Sequence, residues 1–274
     1  MSLLSSRKAR PLTATAVGCD HRSVMGAPRI VRGGGGGTRG LRTTIVVLAA
    51  LLNATKVLDK KMEDLRVVIN GAGAAGIAIA KLLKGVNHKT DLRRVEVKEV
   101  ILCDTKGILS KSREDLNSSK LAALEYSNLA NQQGSLKDAL VGADVFIGVS
   151  SANLLDRKDV RTMAPDPIIL ALANPTPEIM PDEAFAGGAA IVGTGRSDLP
   201  NQVNNVLGFP GIFRGALDAR AKRITAGMKL AAAYAIADHL RNPTFDNIIP
   251  ATLDESVAWL VADAVREAAK KEKY

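Results

Sequence analysis

Aromatic residues are scarce in this 274-residue chain, 3% of the total with a single tryptophan. None is interleaved with the basic residues, so no stacking platform for bases is visible and a nucleic-acid partner is not expected, despite a formal charge of +9. Cysteine is scarcer still. Cys19 and Cys103 are too few and too differently placed for a disulfide framework; Cys103 falls in an apolar run and reads as a buried, inert thiol, which implies a reducing compartment. Long hydrophobic runs are missing as well: the longest, residues 45–52, ends at Asn53 and falls short of the ~18 residues a membrane span requires. The three histidines, His21, His88 and His239, lie outside every motif and read as structural or surface groups rather than metal ligands.

Acidic residues are nearly absent from one place. Up to residue 42 the chain carries eight Lys and Arg side chains against Asp20 alone, so seven of the nine net charges belong to this leader and the remainder of the chain is close to neutral. The leader also holds five consecutive glycines, 33–37, and no hydrophobic period. Residues 1–42 therefore read as a disordered basic Gly/Arg-rich segment, an organelle transit peptide, or a stretch outside the native coding sequence, with equal weight. The expected location is the cytoplasm, or an organelle matrix if the leader is a transit peptide. Residues 43–274 read as one folded domain.

A hydrophobic fraction of 46% supports an ordinary core. From Thr44 apolar residues recur at helical spacing (Ile45, Leu48, Leu51, Leu52, Val57, Leu58), with Thr43 or Thr44 as the cap. A β-branched strand at 66–70 is followed at once by glycines and then by helical spacing at 77–83. Further on the pattern predicts a strand at 95–103, a helix over 113–130 opened by a Ser112/Asp115 capping box, and a short helix from Ser135. Buried-type strands follow at 143–149, 168–172 and 189–192, with 160–163 ambiguous. The tail reads as an Ala-rich helix, 226–240, broken at Asn242-Pro243, and an amphipathic helix, 254–271, with Val257, Leu260, Val261 and Val265 on one face. The class is α/β: a doubly wound parallel sheet of Rossmann type, helices on both faces, and a helical C-terminal tail.

Gly71, Ala72, Gly73, Ala74, Ala75 and Gly76 spell G-x-G-x-x-G directly between a strand and a helix. That placement aims backbone N–H groups and the positive helix end at a pyrophosphate: the first glycine permits the turn, the second lets phosphate approach, and the third lets helix meet strand. The second strand ends in Asp104, the acid expected to bind the adenosine ribose. The gap between motif and acid exceeds the usual ~20 residues, and the polar stretch 87–94 accounts for it as a loop. Asp104 favours NAD, whereas Lys106, Lys111 and Arg113 are placed to pair with the 2′-phosphate of NADP, so both cofactors stay open.

Two later segments, Ile168-Ile-Leu-Ala-Leu-Ala-Asn-Pro-Thr-Pro-Glu178 and Gly193-Thr-Gly-Arg-Ser-Asp-Leu-Pro-Asn-Gln-Val-Asn-Asn-Val-Leu-Gly-Phe-Pro-Gly211, join the glycine motif in a pattern that resembles the cofactor domain of bacterial-type malic enzymes. The resemblance runs from about Thr44 to the C-terminal helix. It implies oxidative decarboxylation of (S)-malate to pyruvate and CO2 with NAD or NADP and Mg2+ or Mn2+. It places Gly148, Val149 and Ser150 beside the cofactor, and Asn174 and Asn205 against substrate or nicotinamide. Both asparagines lie at or after carboxyl ends of predicted strands, where ligands of open α/β sheets bind, and amides both donate to and accept from a hydroxy acid.

The family's tyrosine, lysine base and glutamate-aspartate metal ligands have no counterpart here. Where an Asp-Asp-x-x-Gly-Thr type segment is expected, the chain reads Gly35-Gly-Gly-Thr-Arg-Gly-Leu-Arg-Thr-Thr44. The chain is therefore expected to be incomplete and inactive alone, working as a homo-oligomer or beside a malic enzyme substrate domain. Two alternatives differ in class: a non-catalytic dinucleotide-binding module that regulates full-length malic enzyme, and another Rossmann dehydrogenase.

Overall fold

The computed structural model describes residues 38–86 and 95–272. The expected leader, apart from 38–42, lies outside them, as do Cys19, His21, His88 and the 87–94 loop. Strands β1 (Arg66–Asn70), β2 (Glu99–Asp104), β3 (Gly107–Ile108), β4 (Val145–Gly148), β5 (Ile168–Ala171) and β6 (Ile191–Thr194) form one sheet in the order β3-β2-β1-β4-β5-β6. All neighbours run parallel except β2 and β3, an antiparallel pair at the edge that the sequence reading lacked. The order reverses between β1 and β4, the position where crevices open beyond the strand ends of doubly wound sheets.

Strand residues alternate between two apolar layers, as period-two geometry requires. Val67, Ile69, Leu102, Ile147, Leu170 and Ile191 join a core with helices α1 (Thr38–Val57), α2 (Ala74–Leu83), α8 (Ala226–His239) and α9 (Glu255–Lys271). Val68, Ile101, Phe146, Ile169 and Val192 face the opposite layer, with Ala139 and Leu140 of α4 (Leu136–Leu140), Val160 of α5 (Arg157–Val160) and Ala184 of α6 (Pro181–Ala186). Being buried on both faces explains why these strands read as continuous apolar runs.

Helix α1 corrects three expectations. It begins at Thr38 rather than after residue 42, so the leader boundary falls inside it. Thr44 is no cap, because its hydroxyl donates to the Gly40 carbonyl at 2.7 Å within the helix. And Gly40–Val57 is long and apolar enough to cross a membrane by length and composition, although 78% of it is buried inside the protein, where an all-round apolar helix belongs. Buried Asn53 donates to the carbonyls of Ala237 and Ile248, at 3.1 and 3.0 Å, and so pins α8 and the loop after it to α1.

The helix expected over 113–130 shrinks to α3 (Ser118–Ala123), capped by Asn117. Its expected Ser112/Asp115 box does not form, because the Asp115 carboxylate is taken by Arg113 and Lys106. Asn128 and Asn131 adopt positive φ and end the helical path. The strand placed at 95–103 begins only at Glu99. The ambiguous 160–163 segment lies at the end of α5, and Leu260, assigned to the core face of α9, is 43% exposed while Val257, Val261 and Val265 are buried. Helix α7 (Phe209–Asp218) was not expected at all. Its Gly211 and Gly215 lie so close to α9 that a Cβ would stand 2.5 Å from the Ala258 carbonyl and 2.3 Å from that of Ala262, so glycine here serves close helix contact.

Candidate functional site

The glycine turn stands at the reversal point of the sheet. Gly71 and Ala72 both donate to the Cys103 carbonyl, 2.9 and 3.1 Å, tying the turn to the end of β2. Gly71 has φ 117°, a conformation strained for any residue with a Cβ, and a Cβ there would meet the Val149 carbonyl at 2.8 Å. At Gly76 a Cβ would fall 2.2 Å from the Gly71 carbonyl, so α2 can meet the turn only through glycine. Gly73 differs: nothing lies within 4 Å of its missing Cβ, and a side chain would project into open space. Gly73 is also the N-cap of α2 and supplies no side chain to the first N–H groups. An open, electropositive helix end with room above its backbone fits a pyrophosphate.

A crevice of about 860 Å3 opens over this turn, lined by Gly71, Ala72, Gly73, Asp104, Val149 and Ser150 among others. Of the residues expected to touch cofactor, Ala74, Ala75 and Gly76 do not line it; they form the first turn of α2 behind it. Gly148 is buried rather than exposed to the crevice, for a reason the sequence did not disclose. The Glu178 carboxyl carbon sits 2.2 Å from where a Gly148 Cβ would be. Asn174 and Asn205 do not line this crevice either: Asn174 is exposed beyond β5, ahead of a cis peptide to Pro175, and Asn205 opens a short 3-10 turn, 205–207.

Glu178 is the residue that sequence reasoning missed. Its side chain is fully buried, and it accepts the Ser150 N–H on Oε1 and the Ala173 N–H on Oε2, each at 3.0 Å. One carboxylate thereby ties the loop after β4 to the loop after β5, and the Glu178 carbonyl reinforces the tie by accepting from Leu154 and Leu155. Burial pushes its pKa up, against the lowering effect of the backbone N–H groups. Ser150, so placed, receives an Nδ2–H bond from Asn70 at 2.7 Å on its Oγ. The signal available beforehand was a lone acid in the proline-bearing loop seven positions beyond a buried strand.

Asp104 closes the other end. Burial alone would raise its pKa, but hydrogen bonds from Arg113, Lys120 and the Lys106 N–H outweigh that and hold it at about 2. Lys111 instead offers its backbone N–H to Asn131, 2.7 Å, and is not part of the crevice lining. Cys103, behind Asp104, is buried, with its thiol pushed up to about 12 by burial first and the Asp104 charge second. Among the described residues no group of three His, Cys, Asp or Glu side chains could hold a metal ion, so the divalent cation implied by the family resemblance does not fit them. His239 pairs with Asp254 at 2.8 Å, far in sequence from the glycine turn.

Sheet order, glycine turn and open crevice together define a dinucleotide-binding domain of the Rossmann type. Comparison narrows this. The family described as "Malic enzyme, NAD binding domain" matches residues 41–270. The chain is 51% identical to a bifunctional malic/malolactic enzyme of Bacillus subtilis over 83% of its length and 54% of the relative's, and 46% identical to an NAD-dependent malic enzyme of Geobacillus stearothermophilus over 83% and 46%. A solved NAD-dependent malic enzyme from Thermotoga maritima shares 45% identity at a TM-score of 0.76, covering 82% of this chain and 58% of that one. This chain belongs to the malic enzyme family and carries its NAD-binding domain. It spans about half the length of the curated relatives it matches.

Proposed function

We propose that the chain binds NAD(P) as the cofactor half of an enzyme that converts (S)-malate to pyruvate and CO2. The observation that carries the reading is the open Gly73 position above the uncapped end of α2, at the reversal point of a sheet of this family. Bound there, the dinucleotide supplies the hydride acceptor. The chain's own part is to hold and align: the turn at 71–73 meets the pyrophosphate, and Asn70 and Glu178 fix Ser150 from two sides at the crevice wall. Asn174, exposed beyond β5, is free to meet substrate or nicotinamide. The base and the metal ligands come from a substrate domain of the same family, and the chain works as a homo-oligomer or in association with such a domain.

Separate calorimetric titrations with NAD and NADP, followed by a malate assay with Mn2+, test this. Binding without turnover, and turnover restored by adding a family substrate domain, is the expected result. Absence of binding by either dinucleotide would refute it, and binding that no substrate domain converts to turnover would leave a non-catalytic module.

A further inference from the structure

An acid at the end of the second strand favours NAD when its oxygens are free to accept from the ribose hydroxyls. Here they are not free. Oδ1 of Asp104 accepts from Arg113 Nη1 at 2.8 Å and from the Lys106 N–H at 2.9 Å. Oδ2 accepts from Arg113 Nη2 at 3.1 Å and from Lys120 Nζ at 2.5 Å. A carboxylate offers about four lone-pair sites, and four donors occupy them. The two-pronged Arg113 pair is of the strong, charge-assisted kind, so a ribose hydroxyl would have to displace the Lys106 N–H or a cation to gain its own bond to the carboxylate. Arg113 is further committed to Asp115 at 2.8 Å, which braces it against Asp104.

The same corner carries surplus positive charge. Asp104 and Asp115 face Lys106, Arg113 and Lys120, three cations to two anions. Lys106 and Lys120 line the crevice together with Thr105 and Asn117. The Lys106 side chain is two-thirds exposed, so its ammonium can turn toward a ligand at small cost. Lys137 lines the crevice from α4 and is held by Asp159 at 3.0 Å. A doubly ionised phosphate placed among these groups finds donors and opposite charge, whereas a bare diol has no charge to pair and finds no open carboxylate oxygen to donate to.

We infer that this chain selects NADP over NAD: Lys106 and Lys120 meet the 2′-phosphate, while Arg113 keeps Asp104 saturated and out of reach of the ribose. This rests on the crevice being the dinucleotide site. Arg113 is a positioning residue in this scheme, and the two lysines are the specificity-determining ones.

Calorimetry on the full chain with NAD and NADP, and with 2′,5′-ADP against ADP as smaller probes of this corner, decides it. NADP should bind at least about tenfold more tightly than NAD, the worth of one or two charge-assisted contacts. The double variant K106A/K120A, checked for an unchanged fold by circular dichroism and thermal melting, should bring the two affinities together, because it removes the phosphate partners and takes away one of the four donors on Asp104, that from Lys120. NAD binding as tightly as NADP would overturn the inference while leaving the proposed function standing. So would D104N weakening NAD as strongly as the lysine double variant weakens NADP, since Asp104 would then be the ribose ligand. Absence of binding by either dinucleotide and by both small probes would remove the site itself, an outcome distinct from lost selectivity.

Discussion

Two carboxylates stand at the carboxyl ends of the sheet, Asp104 after β2 and Glu178 in the loop after β5, and their surroundings are opposites. Asp104 is partly open to the crevice and ringed by Arg113 and Lys120. Glu178 is sealed, and its side-chain donors are two neutral backbone N–H groups. The first has its pKa lowered by cations, the second raised by desolvation. A charge at the edge of the crevice holds cations where a ligand can meet them. A carboxyl group buried between two loops holds backbone in place, and an apolar occupant there would leave donors unpaired. The same chemical group thus gathers cations at one end of the crevice and fixes backbone geometry at the other.

The largest effect is expected where geometry is tightest. Gly148→Ala puts a methyl into the space of the Glu178 carboxyl group, whose oxygens would stand 2.5 Å away, and a fully buried side chain has nowhere to go. Overpacking plus a broken buried acceptor should cost about 3 kcal/mol or more in urea unfolding. Glu178→Ala, which strands the Ser150 and Ala173 N–H groups, should cost about 2–3 kcal/mol, and Glu178→Gln about half as much, since one acceptor survives. The double variant Gly148→Ala/Glu178→Ala should be clearly less destabilised than the sum of its parts, because the added methyl no longer meets the carboxyl. Strict additivity would mean that the two residues do not share this space and that the contrast with Asp104 is misplaced.

How much of this was legible follows from how local each constraint is. The glycine turn could be read directly because Gly71, Gly73 and Gly76 each answer a backbone limit within a few residues. Strands β1, β4 and β5 could be read because burial on both faces writes itself as an apolar run. Asp104 was legible as an acid at a strand end, but its partners were not: Arg113 and Lys120 lie nine and sixteen positions further on and return only through the two-residue strand β3 and the short α3. Those elements are too short to carry a period. Helix α7 was hidden because Gly211 and Gly215 look like loop residues until α9 is seen against them. Glu178 was hidden for a related reason, its partners being backbone groups that any sequence would supply.

The comparison also predicts opposite pH dependences. Asp104 sits at about 2 when folded against an ordinary value of 3.8, so its contribution is present above 3.8 and lost as pH falls through about 2. Allowing for solvent screening this is on the order of 1 kcal/mol. For Glu178 the folded pKa is raised, so the sign reverses: its contribution is complete below its ordinary 4.5 and is lost as pH rises through the folded value. Urea midpoints measured from pH 2 to 8 should therefore lose part of the acid limb in Asp104→Asn and part of the decline above pH 4.5 in Glu178→Gln. If both substitutions flatten the same limb, the two carboxylates do not differ in the way their neighbours imply.

The smallest stability effect is expected at the outer rim of the cation ring. Lys106→Ala removes an exposed ammonium from Asp115, and exposed ion pairs contribute little once solvent and side-chain entropy are counted. The urea midpoint should not move measurably, and the backbone N–H that Lys106 offers to Asp104 survives the change. Affinity for 2′,5′-ADP should nonetheless fall severalfold, with a flatter dependence on salt, because one of the phosphate's charge partners is gone. A residue that matters to the ligand and not to the fold is what this corner should contain. A Lys106→Ala variant that melts early would place this lysine among the structural groups and blur the distinction between the two corners.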